Sequence, residues 1–133
     1  MHHFLTAQSP IYSTALAELR DGRKRTHWMW FIFPQIAGLG HSPMSQRFAL
    51  SGLDEARAYA AHPVLGPRLL ECTRAVLGHK DKSAHAIFGA PDDLKFRSAM
   101  TLFARAVPEE CAFREALEAF FGGEEDPETI RRL

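Results

Sequence analysis

The chain has 133 residues, 46% of them hydrophobic, and its sixteen lysine and arginine residues balance sixteen aspartate and glutamate residues. This length fits one domain, so we expect residues 1–133 to form a single domain around one core. The balanced charge disfavours nucleic-acid binding, because proteins of that class usually carry a large positive excess. The longest apolar run, residues 28–33, is far shorter than the roughly 20 residues of a membrane helix, and the first residues lack the apolar stretch of a signal peptide. We therefore expect a soluble cytoplasmic protein that does not engage a membrane.

Helix signals follow one another along the chain. Ser9 and Pro10 are typical of a helix start, and the apolar positions that follow predict an amphipathic helix ending at Gly22. Further helices are predicted over residues 43–48, 53–61, 65–77, 83–88, 91–107, 109–121 and 126–133, since capping residues, prolines and glycines bound each segment. The sequence thus predicts an all-α fold, a single multihelical domain of seven to nine short helices.

The segment between His27 and Pro34 is the hardest to assign. Every position from 28 to 33 is apolar, so periodicity does not distinguish a strand from a helix. The aromatic and β-branched content favours a strand, but the chain offers no partner strand. A lone buried strand would leave backbone groups unpaired, at about 1–3 kcal/mol each. We therefore predict a short buried helix over about residues 27–33, ended by Pro34.

Charged and aromatic side chains come together around this segment. Arg23, Lys24 and Arg25 could bind a phosphate or carboxylate, because guanidinium and ammonium groups hold such anions well. The alternative is a solvated turn after the preceding helix. Trp28 and Trp30 could stack a base or hold an arginine side chain.

Further polar residues are candidates for the same site. His27 would share a helix face with Trp30 and could act as a general base or orient a ligand, or it could be an ordinary packing histidine. Gln35 could bind a purine or amide edge, or cap backbone in the loop that continues to a tight turn at residues 38–40. On the helix predicted over 91–107, Lys95 and Ser98 could add polar contacts. Ser98, with Thr101 one turn away, could instead mediate helix–helix packing.

Other kinds of site find little support in the sequence. Cys72 and Cys111 have neither metal-ligand spacing nor a histidine neighbour, so we predict two buried apolar cysteines in a reducing compartment. The histidines are scattered, and we expect no metal site and no cofactor. On the helix over 91–107, Asp93 and Arg97 have the spacing of a surface ion pair.

Long stretches of the chain resemble the bacterial family known as domain of unknown function 1810. The stretches that carry the resemblance are His27-Trp28-Met29-Trp30-Phe31-Ile32-Phe33-Pro34-Gln35, Gly38-Leu39-Gly40, His62-Pro63, Phe88-Gly89-x-Pro91-Asp92-Asp93-x-Lys95 and Arg97-Ser98-x-Met100-Thr101-Leu102-Phe103. The resemblance implies a multihelical fold with a short buried central helix, which maps onto residues 27–33. It implies no activity, because the family is uncharacterised. Some members carry a calpastatin label, but nothing in this sequence supports inhibition of a protease.

Two functions of different classes are compatible with these residues. The first is binding, with processing left open, of a small anionic, nucleotide-like metabolite beside the His-Trp-Met-Trp-Phe segment. The second is a non-enzymatic interaction module whose aromatic groove takes a helix or peptide of a partner protein. Polar residues converging on a concave pocket would favour the first, and an exposed aromatic patch on a convex surface would favour the second. Whether the protein is an enzyme does not follow from the sequence.

Overall fold

The computed structural model describes all 133 residues and contains helices but no β-strand, which confirms the all-α prediction. One isolated parallel bridge, between Ile36 and Leu50, is the only β-type pairing. The ten helices are α1 (His2–Gln8), α2 (Tyr12–Arg20), α3 (Met29–Ile32), α4 (Pro43–Arg47), α5 (Leu53–Ala61), α6 (Leu65–Leu77), α7 (Ala84–Phe88), α8 (Asp92–Ala106), α9 (Cys111–Phe121) and α10 (Pro127–Arg131). None of them is both long and apolar enough to cross a bilayer.

Helix α8 runs through the centre of the fold. It packs against α5, α7, α9 and α10, while α6 packs against α2, α5 and α9. Because α8 has neighbours on several sides, apolar residues around most of its circumference are buried, including Phe96, Met100 and Phe103. The buried apolar residues of the whole chain form one core, so the helices make up a single compact unit.

The aromatic segment forms the predicted central helix, α3, in a shorter form. Its helical part is only Met29–Ile32, with Trp28 and Phe33 as the flanking caps, and Trp28 and Phe33 are both fully buried. In a helix of only four residues, most backbone N–H and C=O groups have no hydrogen-bond partner within the helix. Side chains supply part of what is missing, since Gln8 Nε2 donates to the carbonyl oxygen of Phe31 at 2.6 Å.

Local capping chemistry sets several of the helix starts. The hydroxyl of Ser42 accepts from the amide of Ser45 at 3.1 Å, and the hydroxyl of Ser83 accepts from the amide of Ala86 at 3.0 Å. Each side chain satisfies one of the free amides of a first turn. These starts follow the sequence prediction because a cap depends only on residues a few positions apart.

The predicted helix start at Ser9 is wrong. Ser9 instead closes α1, where its hydroxyl donates to the carbonyl oxygen of Leu5 at 2.8 Å, and α2 begins later, at Tyr12. Helix α1 exists because Phe4 and Gln8, one turn apart, are both buried against the rest of the fold. This additional helix brings the total to ten, above the predicted range.

Two predictions about side chains are also wrong. Cys72 is buried, but Cys111 is exposed because it begins α9 at the surface. Asp93 and Arg97 do not pair with each other. The carboxylate of Asp93 lies 3.5 Å from the His85 ring, and the guanidinium of Arg97 lies 3.5 Å from the carboxylate of Asp126, because α7 and α10 flank α8 there.

Candidate functional site

The loop from α2 to α3 is fixed by one buried carboxylate, that of Glu18. Its Oε1 accepts hydrogen bonds from the amide of Arg25 at 2.8 Å, the amide of Thr26 at 3.0 Å and the indole Nε1 of Trp28 at 3.0 Å. Its Oε2 accepts from the Thr26 hydroxyl at 2.7 Å. Burial opposes ionisation, but these hydrogen bonds outweigh it and lower the pKa of Glu18 to about 2. The loop is therefore positioned by an anion within the fold.

Sequence reasoning missed Glu18, although a signal was present. Glu18 lies three residues after the buried Ala15 and next to the buried Leu19, so it falls on the inward face of α2. A carboxylate on such a face must find hydrogen-bond donors.

The basic triplet after α2 points in different directions. The side chain of Lys24 is only 8% exposed, and its Nζ lies 2.9 Å from the carboxylate of Asp92. Arg25 turns back toward Asp21, with 3.2 Å between guanidinium and carboxylate. Arg23 is exposed and makes no ion pair. The three side chains do not form one clamp.

Two lysines and two tryptophans gather around Asp92, and we call Lys24, Trp28, Trp30, Asp92 and Lys95 the Asp92 cluster. Lys24 Nζ lies 5.0 Å from the ring centroid of Trp28, and Lys95 Nζ lies 5.6 Å from that of Trp30. Lys95 Nζ is also 3.6 Å from the Asp92 carboxylate that already pairs with Lys24. One carboxylate thus faces two ammonium groups, and each ammonium faces an indole ring.

The cluster has an inner and an outer half. Trp28 is fully buried and the Lys24 side chain nearly so, whereas Trp30 is half-buried and the Lys95 side chain is 27% exposed. The ammonium group of Lys95 makes no hydrogen bond within the protein and stands beyond hydrogen-bond distance of Asp92. The outer half therefore offers a free ammonium group beside an accessible indole.

The remaining candidate residues lie outside the cluster. His27 is exposed on the loop, and its ring makes no hydrogen bond. Gln35 is half-buried, and only its backbone carbonyl is engaged, accepting from the amide of Leu50 at 2.9 Å. The hydroxyl of Ser98 donates to the carboxylate of Asp126 at 2.9 Å, and the amide of Asp126 donates to Thr101. Ser98 and Thr101 thus join α8 to α10 in helix–helix packing.

No deep pocket accompanies the cluster. Four surface depressions occur, and none is lined by a residue of the Asp92 cluster or by the other candidate residues. The largest, about 480 Å³, lies along α6 between Arg20 and Arg74. No group of three His, Cys, Asp or Glu side chains is arranged to hold a metal ion.

Comparison with known proteins identifies a family and a solved structure with the same fold. The family model described as a protein of unknown function, DUF1810, matches residues 1–133. A conserved hypothetical protein from Mycobacterium tuberculosis, Rv1873, has a crystal structure that superimposes with a TM-score of 0.97 at 51% identity, covering 99% of this chain and 94% of that one. No curated protein has a significantly similar sequence.

Proposed function

Since the chain belongs to the DUF1810 family, whose function is unknown, we propose a function from geometry: the protein binds a small anionic, nucleotide-like molecule at the outer half of the Asp92 cluster. The observation that carries the proposal is the pairing of Lys95 with Trp30, 5.6 Å from ammonium to ring centroid. A free cation beside an accessible indole suits a ligand that combines negative charge with a planar ring.

The charges of the cluster support an anionic ligand. Lys24 and Asp92 form a close pair at 2.9 Å with little exposure of either side chain, so together they contribute no net charge at the surface. Lys95 shares this one carboxylate at 3.6 Å, so the cluster keeps one more ammonium group than carboxylates, and the three N–H donors of Lys95 can bind a phosphate or carboxylate oxygen.

The aromatic part of the cluster supports a planar ligand. Stacking of a base on an aromatic side chain contributes about 1–3 kcal/mol, so Trp30 could supply a useful fraction of the affinity. Arg23, Arg25 and His27 are exposed on the loop before α3 and lie outside the cluster, so we assign them no direct contact with the ring of the ligand. If the bound molecule is processed, His27 is our candidate for the acid–base step, because its imidazole is free of internal hydrogen bonds.

No concave pocket lies at the Asp92 cluster, so the choice between the two functions depends on how much aromatic surface is exposed. On that ground the alternative of an aromatic groove for a partner protein has less support. Trp28 and Phe33 are fully buried and Phe31 is 7% exposed, so Trp30 alone among the rings of this segment offers accessible surface. Trp30 by itself is a small target for a helix or peptide.

The proposal is tested by titrating ADP, AMP and adenosine while recording tryptophan fluorescence and thermal unfolding. We expect the two nucleotides to change Trp30 emission and raise Tm, and adenosine to bind more weakly because it lacks the phosphate. A ligand at 100 times its Kd adds about 2.7 kcal/mol of stability. Lys95→Ala should weaken ADP binding at least about tenfold, since a hydrogen bond to a charged group contributes about 1.5–3 kcal/mol.

The matched control is Lys80→Ala, which removes an exposed lysine in the turn after α6. Its ADP affinity should equal that of the parent protein. Trp30→Ala should lose the emission change and most of the affinity. Equal ADP affinities of Lys95→Ala and Lys80→Ala, or no response to any phosphorylated compound, would rule out the proposal.

A further inference from the structure

Three neighbouring surface depressions, of about 480, 280 and 190 Å³, lie along α6. The first and second share Pro67 and Leu70, and the second and third share Ala60 and Val107. We call the three together the α6 groove. It contains no residue of the Asp92 cluster, so a ligand in this groove is independent of nucleotide binding at that cluster.

The middle of the α6 groove is apolar. It is lined mainly by Leu70, Val107 and Phe113, with Pro67 at its edge. Gly66 also lines this section, and only glycine fits there because a Cβ at this position would lie 2.1 Å from the carbonyl oxygen of Ala60. Helices α5 and α6 therefore approach each other backbone to backbone at this point. Such a surface favours an apolar chain over a polar ligand.

One end of the groove holds two arginines whose N–H groups are unused. The guanidinium of Arg20 lies 3.6 Å from the carboxylate of Glu71, and that of Arg74 lies 4.0 Å from the carboxylate of Glu110. Both distances exceed that of a hydrogen bond, and neither guanidinium makes a hydrogen bond elsewhere in the protein.

The two carboxylates are engaged with other groups. Glu71 accepts the hydroxyl of Tyr12, and Glu110 accepts the amide of Ala112 at 3.3 Å as the cap of α9. Each acid lies within 4.0 Å of its arginine but accepts no hydrogen bond from it. An anion entering between Arg20 and Arg74 would therefore meet free donors without having to break a formed hydrogen bond.

The opposite end of the groove is already satisfied. Arg57 donates to both carboxylate oxygens of Glu109, at 2.6 and 3.2 Å, and to the carbonyl oxygen of Ala106 at 2.6 Å. The two ends of the groove thus differ: one has two arginines whose N–H donors make no hydrogen bond, although each lies within 4.0 Å of a carboxylate, and the other has a hydrogen-bonded ion pair, with the apolar section between them.

We propose that the α6 groove binds an amphipathic monocarboxylate of the medium-chain fatty-acid class. The carboxylate lies between Arg20 and Arg74, where the guanidinium groups donate to its oxygens. The alkyl chain passes over Leu70 and ends against Val107 and Phe113. The head group accounts for the unused donors, and the chain accounts for the apolar middle section.

The first test is a calorimetric titration with hexanoate, octanoate and decanoate below their micelle-forming concentrations, with octanol as the ligand that lacks the charge. We expect affinity to rise about two- to fourfold per added methylene, the range set by burying each CH₂. Octanol should bind at least about tenfold more weakly than octanoate. Affinity that is independent of chain length, or equal for octanol and octanoate, overturns the proposal.

The second test uses variants to locate the bound carboxylate. Arg20 and Arg74 have side chains 63% and 64% exposed, so the double variant Arg20→Gln/Arg74→Gln should fold normally. It should bind octanoate at least about tenfold more weakly, whereas Arg131→Gln, with a side chain 71% exposed in α10, should bind as the parent does. Equal affinities of the double variant and Arg131→Gln contradict the proposal.

Amide NMR shifts on adding octanoate should concentrate at Leu70, Val107 and Phe113. Shifts concentrated at Trp30 and Lys95 instead would move carboxylate binding to the Asp92 cluster and overturn the assignment to the groove. Groove shifts that appear with an amphipathic peptide but not with octanoate would assign the groove to a protein partner, which also overturns it.

Discussion

The carboxylate of Glu18 and the indole of Trp28 are joined by a hydrogen bond of 3.0 Å between two buried side chains. Because the same oxygen also accepts the amides of Arg25 and Thr26, one side chain of α2 sets the path of the loop into α3. The Asp92 cluster depends on this path, since Lys24 and Trp28 both belong to the loop.

Replacing Glu18 with alanine should destabilise the protein by about 2–4 kcal/mol. The change leaves the indole N–H and backbone amides without their acceptor, and a buried unpaired donor costs about 1–3 kcal/mol. Thr26 is exposed, so water can replace part of the loss. Urea unfolding measures the effect. Glu118→Ala, which removes an exposed carboxylate of α9 that makes no hydrogen bond, should change stability by less than about 0.5 kcal/mol. Similar losses for the two variants would contradict the role of Glu18.

The lowered pKa of Glu18 should also make stability depend on pH. The carboxyl titrates near its ordinary value of 4.5 in the unfolded chain and at about 2 in the folded protein. The unfolded state therefore binds the proton more readily between these values. The contribution is complete above about pH 4.5 and is lost as the pH falls through about 2, up to about 3 kcal/mol.

Glu18→Gln tests this pH dependence. The variant should lose less stability than the parent between about pH 5 and pH 2, measured by urea unfolding at each pH. The comparison is needed because the pKa of Glu125, hydrogen-bonded by Arg105, is also lowered. The same holds for the pKa of Asp126, where hydrogen bonds from Thr129 and Ser98 outweigh the effect of burial. Parallel profiles of parent and variant would show that Glu18 does not titrate as described.

Gln8 should be a second polar residue on which stability depends. Its Nε2 donates to the carbonyl oxygen of Phe31 at 2.6 Å and to the hydroxyl of Tyr59 at 2.8 Å, and the side chain is buried. Gln8→Ala should cost about 2–3 kcal/mol, because it leaves a buried carbonyl without its closest donor. Gln46→Ala is the matched control, since Gln46 is exposed and its side chain donates only to His41.

A double-mutant cycle of Gln8→Ala with Tyr59→Phe separates the contact between them from their other roles. We expect a coupling energy of about 0.5–3 kcal/mol, the range for residues within one hydrogen-bond network. Additive losses would mean that the hydrogen bond between the two side chains contributes nothing measurable.

Gly66→Ala should destabilise the protein by about 3 kcal/mol, although alanine normally favours a helix. The new Cβ would stand 2.1 Å from the carbonyl oxygen of Ala60, and a backbone atom cannot move aside without separating α5 from α6. Gly52→Ala is the control, because nothing lies within 4 Å of a Cβ there and its backbone is extended. It should cost at most about 1 kcal/mol. Equal losses of stability for the two variants, measured by thermal or urea unfolding, would contradict the close backbone contact between Gly66 and Ala60.

How far the sequence predicts this fold depends on the range of the interactions. The cap at Ser42 and the stop at Gly89, which has a φ of +73°, are local and were predictable. The helical assignment of α3 followed from hydrogen-bond reasoning, and its burial followed from the apolar run over residues 28–33. Helix α1 was missed because one of its two buried residues, Gln8, is polar and gives no apolar signal. Its hydrogen-bond partner, Phe31, lies 23 positions away along the chain.

The candidate site shows the same limit. Lys24, Trp28, Trp30 and Lys95 were predicted from their residue types, but Asp92, the carboxylate between the two lysines, was not among the predicted site residues. The sequence could not show that Lys24 pairs with Asp92 while Arg25 pairs with Asp21. This difference arises because Glu18 fixes the backbone of the loop and Asp21 attracts Arg25.

Helix α3 is too short to have helical stability of its own, because nucleation of a single turn is unfavourable in water. The amides of Phe31 and Ile32 donate to the carbonyl oxygen of Trp28 at 3.3 and 3.2 Å. Their protection from hydrogen exchange therefore depends on the helices packed around α3. Deuterium should enter these two positions only when the surrounding core opens, so their exchange rates report the opening of the whole molecule from its centre.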